Sequence, residues 1–140
     1  FERMDEVGIG NFFDELNDLG VFLVVISGGE PFISKKLLSL LQIAMEKGFL
    51  VEIFSNLQYM PKWFLSSEYE NFRIGRIQTS VYSPISKIHD GITRNTGSLE
   101  RTIKNIHLLA GKGYLVEVAT PLMRKNFASF ATMAKKPLDT

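Results

Sequence analysis

One arrangement recurs along this chain and dictates what it can fold into: a glycine, an apolar run, then a hydroxyl residue. Gly20 leads into an apolar run over 21–26 and then Ser27, Gly48 into 49–54 and Ser55, and Gly113 into 114–119 and Thr120. A looser copy starts at Gly75, runs over 76–81 and carries Ser80 and Ser83. Glycine is favoured just beyond a helix C-terminus, where it takes positive φ without a Cβ clash. The spacing therefore predicts helix, turn and strand in repeated units. The first run is apolar throughout, the pattern of a strand buried on both faces.

Helical periods fill the gaps between the strands. Asn11 is placed to cap a short helix whose Phe12, Leu16 and Leu19 share a face. Ser34 is the expected cap of the next, with Leu37, Leu41, Ala44 and Met45 along one stripe. Pro61 suits the first turn of a weaker helix ending near Ser66. Ser98 is the expected cap of a fourth, with Leu99, Ile103, Ile106 and Ala110 in phase. A fifth starts near Asn126, carries Phe127, Phe130 and Met133, and stops at Pro137. Short strands alternating with helices predict an α/β fold whose parallel strands are joined by right-handed crossovers. The strands are expected near 21–27, 50–55, 76–81 and 114–120, paired in sequential order with helices on one convex side. Four such units make half a barrel or a small open sheet. Both place their chemistry at the C-terminal ends of the strands.

Composition narrows the function classes. The 140 residues suit one domain, read here as 1–140. Apolar residues at 45% and charged residues at 22% exclude a disordered chain. The longest apolar run, 21–26, is far below the roughly 20 residues that span a bilayer. A net charge of +1 supplies no field for nucleic acid or an anionic membrane. With no cysteine, disulfides and thiolate metal sites are excluded within these residues. No export leader is evident, so a cytoplasmic location is expected. His89 and His107 have no metal-ligand spacing, and the Gly-x-Ser-x-Gly elbow is absent around Ser27. Arg124-Lys125 and Lys135-Lys136 read as a solvated face.

Four hydroxyls, Ser27, Ser55, Ser80 and Thr120, fall where strands give way to loops. Singly, each satisfies a turn. Together on one rim they favour a polar ligand site. The sharpest local feature is Ser27-Gly28-Gly29-Glu30-Pro31. Two glycines expose main-chain carbonyls to a ligand, Glu30 adds a carboxylate, and Pro31 keeps the Glu30 backbone extended. Carbonyls converging with a carboxylate suit an ammonium group, which has three donors and no acceptor. A phosphate loop lacks the acid and usually carries lysine.

Gly28-Gly29-Glu30-Pro31, after a strand and before a helix, resembles the amino-group motif of the radical S-adenosylmethionine superfamily. Ser55-Asn56 is similar to that family's second strand-end motif, commonly Thr-Asn-Gly, with Leu57 in place of the glycine. Ser80-Val81-Tyr82-Ser83, His89-Asp90, Arg94 and Gly97-Ser98 resemble the pattern of SPASM-type and peptide-maturing members, as do Thr120-Pro121-Leu122-Met123 and Asn126. The resemblance runs over about 9–130 with the motifs in family order.

The resemblance implies parallel βα repeats belonging to a partial (βα)6 TIM-like barrel. It implies that Gly28, Gly29 and Glu30 receive the ammonium of S-adenosylmethionine, and that Ser80 and Arg94 meet its carboxylate. Ser55 and Asn56 would lie near the methionine or ribose, and the strand end at Val118 and Thr120 against the adenosine. A family member with a reduced [4Fe–4S] cluster generates a 5′-deoxyadenosyl radical that takes hydrogen from a substrate, here a peptide or protein. One departure bears on mechanism. The family holds its cluster by a CxxxCxxC loop, and this chain has no cysteine. It is expected to be an internal part of a longer enzyme, running from the helix after that loop through about the fifth strand and its helix. As such it is expected to be inactive alone and to associate through exposed sheet edges. The alternative is a non-catalytic α/β relic that binds a nucleotide-like ligand or a peptide; cysteines preceding Phe1 would separate the two.

Overall fold

A computed structural model describes residues 5–66 and 72–135. In chain order its elements are α1 (Glu6–Asp18), β1 (Leu23–Ile26), α2 (Leu37–Glu46), β2 (Leu50–Phe54), β3 (Ile74–Ser80), α3 (Ser86–Thr93), α4 (Ser98–Gly111), β4 (Val116–Ala119) and α5 (Phe127–Lys135). Short 3-10 turns occupy Pro31–Ile33 and Lys62–Leu65. The recurrent glycine explains why α1, α2 and α4 end as they do. Gly20, Gly48 and Gly113 have φ of 78°, 84° and 84°. Their N–H groups donate to the carbonyls of Asn17, Met45 and Ala110, and the following N–H groups reach Leu16, Ala44 and Leu109. These paired bonds are the Schellman closure. One sequence signal thus builds the same turn three times, each time aiming the chain into a strand.

The four strands form one parallel sheet in the order β1-β2-β3-β4. Ile26 lies opposite Ile53, Ile53 opposite Ile77, and Thr79 opposite Val118. Alternation along the strands divides the sheet into two faces. Val51, Ile53 and Ile77 are buried in a core shared with Phe13, Leu41, Phe49 and Leu109. The Phe13 and Phe49 rings sit 5.0 Å apart, tying α1 to the start of β2. Each such buried side chain stabilises the fold by about 1.5–3 kcal/mol. On the opposite face Arg76 spans three strands, pairing with Glu52 at 2.9 Å and with Glu117.

Several expectations need correction. Val25 is 44% exposed, so β1 is an edge strand with one open face, not a strand buried on both. Gly75 does not close a helix. It lies inside β3, where a Cβ would meet the Leu50 side chain at 3.2 Å, beside a register shift at Val51/Glu52. Helix α1 starts earlier than expected and is capped by Asp5, whose Oδ1 accepts the Gly8 N–H at 2.8 Å; Asn11 lies within it. Ser34 ends a 3-10 turn and accepts the Lys36 N–H through Oγ at 3.3 Å, so its hydroxyl serves the entry to α2 although α2 itself starts only at Leu37. The segment after Pro61 is a 3-10 turn of four residues. Helix α3 is present although it is not among the expected helices; Ile85, Ile88 and Ile92 carry its short apolar period. Lys136 and Pro137, expected in a basic face and at a helix stop, lie outside the described residues.

Candidate functional site

The C-terminal rim of the sheet is held together by polar ties, and Glu30 is the first of them. Gly28 and Gly29 turn the chain out of β1 at positive φ, 95° and 54°, and Glu30 returns it to an extended conformation. The Glu30 Oε1 accepts the Phe32 N–H at 3.2 Å, closing the 3-10 turn, and the Ser55 hydroxyl at 2.6 Å. Its Oε2 accepts the Asn56 N–H at 2.8 Å. The carboxylate therefore sews the loop after β1 to the loop after β2, and three of its roughly four acceptor positions are already taken. Ser55 Oγ in turn accepts the Leu57 N–H at 2.9 Å. Leu57 has φ of 53° and is fully buried. The left-handed backbone that glycine usually supplies is present here, held by a leucine side chain packed in the core.

The same loop is anchored to α4. Thr102 donates to the Asn56 carbonyl at 3.0 Å and Asn105 to the Leu57 carbonyl at 2.8 Å. Farther along the rim, Thr120 donates to the Val81 carbonyl at 2.7 Å, joining the ends of β4 and β3. Buried Asn126 accepts the Met123 N–H and donates to the carbonyls of Tyr82 and Pro121. Ser83 bonds Ser129 at 2.9 Å, so α5 is docked by polar contacts.

His89 and Asp90 organise the corner before α4. Asp90 accepts the Gly97 N–H at 2.6 Å, the Ser98 hydroxyl at 2.9 Å and the Leu99 N–H at 3.0 Å. It, not Ser98, supplies the side-chain cap of α4. The Leu99 backbone bond leads the causes that hold the Asp90 carboxyl below its ordinary range. His89 is buried, its Nδ1 accepting the Tyr82 N–H at 3.2 Å. Burial pushes its pKa down against the opposing pull of Asp90. Arg94 follows at the end of α3 with φ of 56°, exposed to solvent. Among the described residues it has no hydrogen-bonding partner.

Two cavities open along this rim. One of about 730 Å³ is lined by Ser27, Gly28, Gly29, Glu30, Lys35 and the α1 residue Ile9. The other, of about 350 Å³, is lined by Ser55, Asn56, Ser80, Thr79, His89 and Thr102 among others. Glu30 walls the first and bonds two residues that wall the second. The structure thus brings together Gly28, Gly29, Glu30, Ser55, Asn56 and Ser80. Arg94, Val118 and Thr120 line neither cavity. The Val118 side chain packs against the core, so its access to the rim is through its backbone. Sequence reasoning missed Thr79 and Thr102, which carry no motif and stand out only as hydroxyls at otherwise apolar positions. Among the described residues no group of three or more His, Cys, Asp or Glu is arranged to hold a metal ion. No helix among them is long and apolar enough to cross a membrane.

No protein-family model matches the chain. It is 32% identical over 143 residues to the antilisterial bacteriocin subtilosin biosynthesis protein AlbA of Bacillus subtilis (strain 168), a match covering 99% of this chain and 32% of AlbA. The crystal structure of Streptococcus suis SuiB bound to S-adenosylmethionine matches with a TM-score of 0.72 at 19% identity, over 92% of this chain and 30% of SuiB. The chain spans about a third of the length of both. The second match establishes the shared α/β fold of parallel strands with helices between. Together they support a relationship to the radical S-adenosylmethionine, peptide-maturing enzymes that the rim motifs resemble.

Proposed function

We propose that this chain is the S-adenosylmethionine-binding portion of a radical peptide- or protein-modifying enzyme of the cytoplasm. The observation that carries the reading is the Glu30 tie. It sets the glycine turn of β1 and the Ser55-Asn56 end of β2 at one edge, in the order the resemblance requires. The rim also has a polarity that fits the ligand. Acceptors, the Gly28 and Gly29 carbonyls and Glu30, lie at the β1 end and suit an ammonium. Ser80 and the permanently charged Arg94 belong to the β3 side and suit a carboxylate. Ser55 and Asn56 lie between, near the methionine or ribose, and the Val118–Thr120 backbone would border the adenosine.

When bound, S-adenosylmethionine would supply one-electron chemistry for hydrogen abstraction from the substrate. The chain's own residues bind and orient the ligand. They do not fit a [4Fe–4S] cluster, because thiolates are its usual ligands and no cysteine is present. Cluster ligands would have to come from outside these residues, and the chain alone would be inactive. The missing cysteines also favour a second reading, a non-catalytic scaffold for a nucleotide-like ligand or a peptide.

Calorimetric titration of S-adenosylmethionine into the cluster-loaded, full-length parent tests the assignment. A hydrogen bond to a charged group is worth about 1.5–3 kcal/mol, so Arg94→Lys and Glu30→Ala should each weaken binding by about one to two decades. Glu30→Ala should also destabilise the fold, having lost three internal bonds, whereas Arg94→Lys should not. His107→Ala on α4 should leave affinity unchanged. Unaltered affinity in both Glu30→Ala and Arg94→Lys would remove the site assignment. A parent that binds the ligand yet cannot be loaded with iron and sulfur would favour the scaffold.

A further inference from the structure

Helix α5 is built inside out. An amphipathic surface helix turns its apolar residues to the core and its polar ones to water. In α5 and the residue before it the buried positions are polar instead. Asn126 is 0% exposed and Ser129 4%, and they make the bonds that dock the helix. Phe127, 68% exposed, and Phe130, one turn further on, face solvent. Aromatic side chains have the most apolar surface to bury, and here the fold leaves two of them uncovered.

The charges are also contrary to what the fold alone favours. From Val118 to Lys136 the sequence has four cations and no acid. Arg124 and Lys125 stand just before the first turn of α5, where the helix dipole favours a carboxylate. Both are exposed, and among the described residues neither side chain has a hydrogen-bonding or ion-pairing partner. Arg124 and Phe127, with Leu122 and Met123, line an open hollow of about 520 Å³. That is room for a side chain or two of a partner. The hollow stands beside the rim, because Thr120 and Asn126 bond to the Val81 and Tyr82 carbonyls just past β3.

Local rules broken together at one place, with no gain inside the fold, mark a functional surface. One kind of occupant satisfies them all: a chain that brings carboxylates to Arg124 and Lys125 and an apolar side chain to the hollow. We propose that the corner between β4 and α5 is a docking surface for an acidic segment of the peptide or protein substrate. Arg124 and Lys125 meet its carboxylates, and Leu122 and Phe127 hold its apolar side chains. The inference rests on the proposed function and adds where the substrate is gripped and by what chemistry. With a net charge of only +1, the chain reads acidity at this corner rather than through an overall field. A concave hollow also suits a peptide side chain better than a flat lipid surface.

Fluorescence anisotropy on the cluster-loaded, full-length parent tests this with a labelled peptide in which glutamates flank a pair of phenylalanines. Arg124→Glu and Phe127→Ala should each weaken its binding about tenfold or more. Lys104→Glu, the same change of sign at an exposed cation on α4, should weaken it by less than about threefold. Lysine for the peptide's glutamates, or alanine for its phenylalanines, should cost about tenfold or more with the unaltered parent. Affinity for S-adenosylmethionine should stay within about threefold in every variant. Melting temperature separates docking from folding: Asn126→Ala should lower it, whereas Phe127→Ala and Arg124→Glu should not. Phe127→Ala as destabilising as Asn126→Ala would mean that the parent's own chain covers this face, and would overturn the inference. Equal losses in Lys104→Glu and Arg124→Glu would do the same. So would binding to phosphatidylglycerol vesicles that Arg124→Glu and Phe127→Ala abolish while the peptide is ignored, which would make the corner a lipid contact. A parent that binds S-adenosylmethionine but not the peptide overturns the inference and leaves its ligand site standing; one that binds neither overturns the proposed function as well.

Discussion

Burial holds the His89 imidazole below its ordinary pKa of 6.5, and the Tyr82 N–H aimed at Nδ1 opposes a second ring proton. The unfolded chain therefore takes up a proton at higher pH than the folded one. The stability His89 contributes is complete above 6.5 and is lost as pH falls through the depressed folded value. Asp90, below its ordinary 3.8, behaves as a carboxylate stabilised by donors. Its contribution is present above 3.8 and is lost only at still lower pH. Urea denaturation across the acidic range should show two separate losses, and His89→Gln should abolish the upper one alone. An unchanged upper step in that variant would exclude His89 as its source. Leu57 poses a different balance. Leu57→Gly would relieve a left-handed strain of about 1–2 kcal/mol. It would also empty a fully buried leucine site, a loss of about 2–5 kcal/mol. At the midpoints of these ranges lost packing outweighs relieved strain, so the variant should be less stable by about 2 kcal/mol, and by no more than about 4 kcal/mol, in the same assay. The sequence shows the Ser55-Asn56 motif but not why leucine can replace glycine, because the compensating contact is with distant core residues.

Among the elements, what was legible locally is what was decided locally. The glycine closures of α1, α2 and α4 and the four strands follow from patterns a few residues long. Helix starts were legible only in part: Asp90 caps α4 from α3, while Ser34 both closes the 3-10 turn and accepts the Lys36 N–H through Oγ at the entry to α2. Helix α3 has only eight residues, and its apolar stripe, Ile88 and Ile92 following Ile85 at the cap, is two turns long and lies among Ser86, Lys87, His89 and Asp90, so it is easily overlooked. Its consequence is a corner in which one carboxylate fixes Gly97, Ser98 and Leu99. Asp90→Asn leaves one oxygen to accept where two now do, and sets an NH2 group against backbone donors. The amides of Gly97 and Leu99 should then exchange with solvent markedly faster, while those of α2 stay protected. Equal protection in the variant would mean that the cap is not Asp90. The rim is likewise legible in part. Gly28, Gly29 and Glu30 announce themselves in sequence. The bond from Ser55 to Glu30, 25 positions apart, exists only because β1 and β2 pair in parallel.

At the scale of the whole molecule, the sheet is open. β1 and β4 are its edges, and apolar side chains lie near both: Phe22 and Val25 at one, Leu115 and Leu122 at the other. Leu115 is 65% exposed, immediately before β4. An unpaired parallel edge with apolar neighbours is a template for another strand. A net charge of +1 provides little repulsion between copies. The 140-residue chain should therefore associate, with a sedimentation coefficient that rises with concentration. Lysine at Val25 and at Leu115 would place charge at both edges without touching the core, and the double variant should remain monomeric at concentrations where the parent sequence does not. If the edges are the cause, the double variant should also keep its melting temperature. A wild-type chain that stays monomeric at high concentration, or a double variant that associates equally, would mean that the open edges are already protected and that association has no part in how this fold is completed.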